Sequence, residues 1–121
     1  MTLRLSILAG VIGLTIGCSS YSPSSPSGGT NVTGTPVSIV SRAASLTNTA
    51  YAPNPITISA GGTVSWTNND EEAHTSVGDD GSWNSGAIAP GATFNRSFPN
   101  AGTFTYHCSI HPNMIGTVTV R

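Results

Sequence analysis

Short runs of alternating polar and apolar residues, separated by turn-forming glycine and proline, constrain the fold of this chain most strongly. The runs lie at residues 37–40, 56–59, 63–67, 93–98, 103–108 and 117–120. An alternation with a period of two residues is typical of strands that have one buried face. Because no helical stripe of apolar residues separates the runs, the sequence predicts an all-β fold, an antiparallel Greek-key β-sandwich.

The charge of the chain excludes two classes of partner. Lys+Arg is 4 and Asp+Glu is 5, which gives a formal net charge of -1, and all the basic residues are arginines. This is too little positive charge to hold a nucleic-acid backbone or to form a polybasic membrane patch. A chain of 121 residues fits one domain, and we expect a monomer.

Residues 1–17 are predicted to be a lipoprotein signal peptide rather than part of the fold. Arg4 precedes an apolar stretch, Leu5 to Ile16, which is shorter than the roughly 20 residues that span a bilayer. The stretch ends in Leu14-Thr-Ile-Gly-Cys18, which resembles a bacterial lipobox, although Thr15 replaces the usual leucine. The resemblance implies acylation of Cys18 and a membrane-anchored protein of the cell envelope. Ordinary secretion without an anchor is the alternative.

Residues 18–36 are rich in serine, proline and glycine and contain almost no apolar residues. Such a segment buries too little surface to offset the entropy of ordering it, so we expect a flexible tether. The folded domain is therefore predicted to comprise residues 37–121.

Alternation within the run 103–108 orients its side chains. Phe104 and Tyr106 are large and apolar and are expected to face the core. Cys108 shares their face and should point inward, whereas His107 should point outward.

A cysteine, a histidine and a methionine lie close together in the segment Cys108-Ser-Ile-His-Pro-Asn-Met114, and His74 lies upstream. A thiolate, two imidazoles and a weak thioether form the ligand set of a blue-copper site, whereas zinc has little use for the thioether.

Two other interpretations of these residues remain open. Cys108 and Met114 are ordinary core residues in the first, with His74 and His111 solvated in loops. The second is a Cys18–Cys108 disulfide, which leaves His111 and Met114 without a role.

From about Ala52 to Val120 the chain resembles the small cupredoxins, the plastocyanin and amicyanin group of type 1 copper proteins. The matching segments are Pro53-Asn-Pro-Ile-Thr-Ile58, Gly61-Gly-Thr-Val-Ser-Trp-Thr-Asn68, His74, Trp83-Asn-Ser-Gly86, Pro90-Gly-Ala-Thr-Phe94 and residues 102–120. The spacing from Cys108 to Met114 is similar to that of the short amicyanin loop. The resemblance implies one copper bound by His74, Cys108 and His111, with Met114 as the axial ligand. Thr75 departs from the asparagine that braces the cysteine loop in many members.

The resemblance also implies one-electron transfer between Cu(I) and Cu(II), with no catalysed reaction. His111 would be the electron port to a transient redox partner, such as a cytochrome. Ile110, Pro112, Ile115, Ala89 and Pro90 are candidates for an apolar patch around it. A copper-delivery protein and a non-redox interaction module are the alternatives. The chain lacks the Met- or His-rich runs typical of copper carriers, which favours electron transfer.

All the acidic residues lie in one short segment. They are Asp70, Glu71, Glu72, Asp79 and Asp80. Because they flank His74, an acidic patch near the copper site would steer a basic partner. The alternative is a loop kept solvated by its charge.

Overall fold

The computed structural model describes residues 34–121, so the predictions for the signal peptide, Cys18 and most of the tether lie outside the described residues. The elements are β1 (Thr35–Ile39), a 3-10 turn (Ala43–Ser45), β2 (Tyr51–Ala52), β3 (Ile56–Ile58), β4 (Gly62–Asn68), β5 (Val77–Gly78), β6 (Thr93–Phe98), β7 (Gly102–His107) and β8 (Ile115–Val120). The first strand begins at Thr35, two residues before the predicted start of the domain.

The strands form two sheets that enclose one hydrophobic core. One sheet has the order β2-β1-β4-β6 and the other has the order β3-β8-β7-β5. Inward-facing residues of both sheets, such as Val64, Trp66, Tyr106 and Val118, are completely buried. The predicted all-β sandwich is confirmed.

The sheets are mixed, which corrects the expectation that every pairing is antiparallel. β1 pairs with β4, and β3 pairs with β8, in parallel. Residues 40–61 separate β1 from β4, and this exceeds the dozen or so residues that a parallel crossover needs. Alternation reports which face of a strand is buried but not which direction the strand runs, so the sequence could not distinguish these pairings.

Two strands were not predicted from the sequence. β2 and β5 contain two residues each, which is too short for an alternating pattern. Pairing with β1 and with β7 defines them instead. No helix among residues 34–121 is long and apolar enough to cross a membrane.

An aromatic cluster fills the core next to the site described below. The rings of Tyr51 and Tyr106 meet edge to face with centroids 4.8 Å apart, and those of Tyr106 and Trp66 meet with centroids 5.4 Å apart. Such pairs add about 0.5–1.5 kcal/mol each beyond the burial of their surface. The Tyr51 hydroxyl donates a hydrogen bond of 2.6 Å to the carbonyl of Thr75, which connects the core to the loop that carries His74.

Candidate metal centre

The candidate ligands come from two loops at one end of the sandwich. His74 lies between β4 and β5, and backbone hydrogen bonds in both directions with Ile88 fix its position. Cys108 directly follows β7, and His111 and Met114 lie in the loop that leads to β8. The sheets therefore place residues that are 34 or more positions apart in sequence at the same end of the molecule.

Three of the four predicted ligands meet in a compact group. Donor atoms of His74, Cys108 and His111 all lie within 4.8 Å of one another. Nδ1 of His74 is 3.9 Å from Sγ of Cys108 and 3.2 Å from Nδ1 of His111. His74 and Cys108 are completely buried, whereas the His111 side chain is 26% exposed. Burial of two ligands excludes water from the group, and the third reaches the surface.

The loop from Cys108 to Met114 is closed by its own backbone. The N–H of Cys108 donates to the carbonyl of Met114 at 3.1 Å, and the N–H of Met114 donates to the carbonyl of His111 at 3.0 Å. The Met114 side chain is completely buried. The fourth predicted ligand thus lies inside the protein at the base of the same loop.

Thr75 stabilises the loop that follows Cys108, although it stands where many family members have asparagine. Its Oγ1 accepts a hydrogen bond of 2.7 Å from the N–H of Ser109 and lies 3.0 Å from the Ser109 hydroxyl. The N–H of Thr75 also points at Sγ of Cys108, 3.3 Å away. A threonine hydroxyl therefore ties the two loops of the site together here.

The environment of Cys108 favours the thiolate. Burial alone would raise the pKa of the thiol, but backbone N–H groups of Thr75 and His111 donate to the sulfur and the His74 imidazole lies beside it, and the net effect lowers its pKa to about 6. The thiolate is the form that binds metals, so the lowered pKa favours metal binding by Cys108.

Asp70 is a member of the site whose role was not predicted from the sequence. Its Oδ2 lies 2.7 Å from Nε2 of His74, the ring nitrogen that faces away from Cys108. This hydrogen bond, assisted by N–H donors of Arg42 and Glu71, lowers the pKa of Asp70 to about 2 despite partial burial. The four-residue spacing between Asp70 and His74 is a signal that the sequence does contain.

His107 lies outside the group, in agreement with the alternation of β7. Its side chain is 33% exposed, and its Nδ1 lies within hydrogen-bonding distance of the Asp79 carboxylate on the outer surface of the sheet. The sequence contains three histidines, and the structure brings two of them to the candidate centre.

The acidic residues form two separate groups rather than one patch. Asp70 is only 9% exposed, and its carboxylate is engaged by His74. Glu72 reaches toward the exposed edge of His111, with 3.6 Å between Oε2 and Nε2. Asp79 and Asp80 follow β5 at the edge of the other sheet. Glu71 and Glu72 are therefore the exposed acidic residues at the ligand end, which is the end of the sandwich that carries His74, Cys108 and His111.

Ile115 is separated from the other residues of the predicted apolar patch. Ile110 is 48% exposed beside His111 in the ligand loop, and Pro112, Ala89 and Pro90 are exposed as well. Ile115 is 44% exposed but pairs with His107, which places it on the outer face of β7 and β8.

The donor chemistry of the group fits copper. Sulfur suits Cu(I) and imidazole suits Cu(II), and the three donors include no carboxylate of the kind that harder metal ions prefer. Asp70 and Glu72 form a second possible grouping, but they share His74 with the first.

A β-sandwich that brings a buried thiol and two imidazoles together at one end is typical of small copper-binding proteins. Residues 39–121 match the family described as copper binding proteins, plastocyanin/azurin family. The chain belongs to this family of copper-binding electron-transfer proteins.

Several known proteins are similar to this chain. Plastocyanin from Scenedesmus fuscus is 37% identical over 84 residues, which span 59% of this chain and 86% of the plastocyanin. A purple cupredoxin from Nitrosopumilus maritimus superposes with a TM-score of 0.67 at 31% identity, covering 72% of this chain and 99% of the cupredoxin. The Cu(I) form of an amicyanin mutant superposes with a TM-score of 0.60 at 26% identity, covering 74% of this chain and 83% of the amicyanin.

Proposed function

We propose that this protein is a blue-copper electron carrier, and that His74, Cys108, His111 and the axial Met114 hold its single copper ion. The observation that carries the proposal is the buried Cys108 thiol, whose sulfur shares a 4.8 Å cluster with imidazole nitrogens of His74 and His111. Bound copper supplies the one-electron cycle between Cu(I) and Cu(II).

The residues around the site support electron transfer through their rigidity. Thr75 ties the two ligand loops together, and hydrogen bonds between Cys108, His111 and Met114 close the second loop on itself. A ligand set that is fixed before the metal binds cannot rearrange freely when the charge on the metal changes. Little reorganisation is the property that a fast electron carrier needs.

His111 is the proposed point of electron entry and exit. It is the exposed member of the group, and Ile110 and Pro112 present apolar surface beside it. A small, mostly apolar contact suits a redox partner that docks briefly and leaves, such as a cytochrome or another electron carrier. We infer that the protein carries electrons without catalysing a reaction of its own.

The visible spectrum after addition of Cu(II) tests this proposal. We expect one equivalent of Cu(II) to give an intense blue colour, because a Cys108 thiolate bound to Cu(II) absorbs strongly in the visible range. The matched control is Cys108→Ser, which keeps the size of the side chain but removes the sulfur and should abolish the colour. A Cys108→Ser variant that stays blue would refute the ligand assignment.

We further propose that acylated Cys18 anchors the protein to a membrane of the cell envelope. The lipobox-like sequence before Cys18 and the polar segment that follows it support this proposal. Replacing Cys18 with Ala should release the protein into the soluble fraction. Unchanged membrane association of that variant would contradict the proposal.

A further inference from the structure

A buried carboxylate lies behind one of the proposed copper ligands. Oδ2 of Asp70 is 2.7 Å from Nε2 of His74. His74 is completely buried, and Asp70 is 9% exposed, so little water competes for this hydrogen bond. The contact involves the ring nitrogen that the copper site does not use.

Backbone donors from two loops hold the Asp70 carboxylate in place. Oδ1 accepts hydrogen bonds of 2.9 Å from the N–H groups of Arg42 and Glu71, and Oδ2 accepts one of 3.2 Å from the N–H of Ala43. Arg42 has a φ of 62°, and it precedes the 3-10 turn whose first N–H points at Asp70. The carboxylate is therefore fixed independently of His74.

These contacts determine which nitrogen of His74 carries the proton. An ionised carboxylate only accepts hydrogen bonds, so Nε2 of His74 must be the donor to Asp70. In the neutral ring, Nδ1 is then unprotonated, and its lone pair is available on the side of Cys108 and His111. A metal ion requires this tautomer of His74 if it binds through Nδ1.

We propose that Asp70 is a positioning residue for the copper site, which holds His74 in its metal-binding tautomer and lowers the midpoint potential. The inference rests on the proposed function. The hydrogen bond makes the imidazole a stronger donor, and a stronger donor stabilises Cu(II) more than Cu(I). Outer partners of this kind are worth 10–100-fold in metal affinity in other metal sites.

The first test uses the copper-free protein and needs no variant. Long-range proton–nitrogen NMR spectra report which ring nitrogen of each histidine is protonated. We expect neutral His74 to carry its proton at Nε2, with slow exchange against water. A proton at Nδ1, or rapid averaging between the two tautomers, would overturn the inference.

The second test compares two matched substitutions in the copper-loaded protein. Asp70→Asn keeps the size of the side chain and removes its charge, and we expect a higher midpoint potential and a loss of about 10–100-fold in copper affinity. Glu71→Gln makes the same chemical change at the adjacent residue, whose side chain is exposed. It should leave both quantities near the wild-type values. Equal potential shifts in the two variants would show a general effect of charge and overturn the role of Asp70.

The two tests separate this inference from the proposed function. Failure of the wild-type protein to form a blue Cu(II) site would contradict the proposed function, whereas the NMR result on His74 would stand. A blue wild-type protein whose potential responds equally to Asp70→Asn and Glu71→Gln would contradict only the inference.

Discussion

At the scale of single residues, Met114 tests the assignment of the axial ligand. Met114→Leu conserves the volume of a completely buried side chain and should cost less than about 1.5 kcal/mol of stability. We expect copper to remain bound and the midpoint potential to rise, because Cu(II) loses a weak sulfur donor. Voltammetry with metal analysis of the same sample measures both quantities. An unchanged potential with copper bound would contradict the axial role.

Thr75 offers a second residue-scale prediction, on the brace between the ligand loops. Thr75→Val keeps the shape of the side chain but removes the oxygen that accepts the Ser109 N–H. We expect faster hydrogen exchange of the Ser109 amide and a loss of about 1 kcal/mol from the free energy of unfolding of the copper-free protein. Thr75→Ser retains the hydroxyl and is the control. Protection of Ser109 that is equal in the two variants would show that the brace is absent.

Residue types and their spacing predicted the candidate ligands but not the residues that hold those ligands in place. Cys108, His111 and Met114 lie within seven residues of one another, and strand alternation alone separated Cys108 from His107. The contact of Asp70 with His74 spans only four residues, but Arg42, which holds the Asp70 carboxylate, lies 28 residues away from it, and Thr75 binds Ser109 across 34 residues. Contacts at such separations exist only after the sheets have formed, so no local pattern encodes them.

At the scale of strands, Gly116 is required by the packing of β7 against β8. Gly116 lies opposite Tyr106 in the register of these strands, and a Cβ at this position would overlap the Tyr106 ring. The ring has little freedom to move because it packs against Tyr51 and Trp66.

We therefore expect Gly116→Ala to destabilise the copper-free protein by about 1–3 kcal/mol. Urea unfolding measures the effect, and Thr117→Ala, at the next and partly exposed position of β8, is the control. Destabilisation of Gly116→Ala that does not exceed that of the control would contradict this account of the packing.

The sequence predicted the six longer strands because each has a periodic pattern of its own. β2 and β5 lack such a pattern. Tyr51 in β2 contributes to the core through its ring contact with Tyr106 and its hydrogen bond to Thr75, and neither contact is visible in the local sequence. The parallel pairings were also beyond prediction from the sequence, because they depend on how loops cross between the two sheets.

At the scale of the whole molecule, the formal net charge is -1, but the acidic residues are unevenly distributed and form two separate groups on the surface. Glu71 and Glu72 are exposed, and Glu72 lies beside His111, whereas Asp79 lies beside His107 and Asp80 follows it after β5, at the edge of the other sheet. If the ligand end docks a basic cytochrome, only the glutamates should steer it.

We expect the double variant Glu71→Gln/Glu72→Gln to react more slowly with a basic cytochrome at low ionic strength. The difference should vanish at about 1 M salt, where the screening length is only about 3 Å. Asp79→Asn/Asp80→Asn removes the same charge from the other surface and should have a smaller effect. Rates that are independent of salt, or equal effects of the two double variants, would contradict steering by the glutamates.

Voltammetry of the copper-loaded full chain, with metal analysis before and after cycling, tests the central claim most directly. A rigid site formed by His74, Cys108, His111 and Met114 should give a reversible one-electron wave and retain one equivalent of copper through repeated cycles. A delivery protein would release copper when the oxidation state changes. An irreversible wave, or loss of copper on reduction, would contradict the assignment of this protein as an electron carrier.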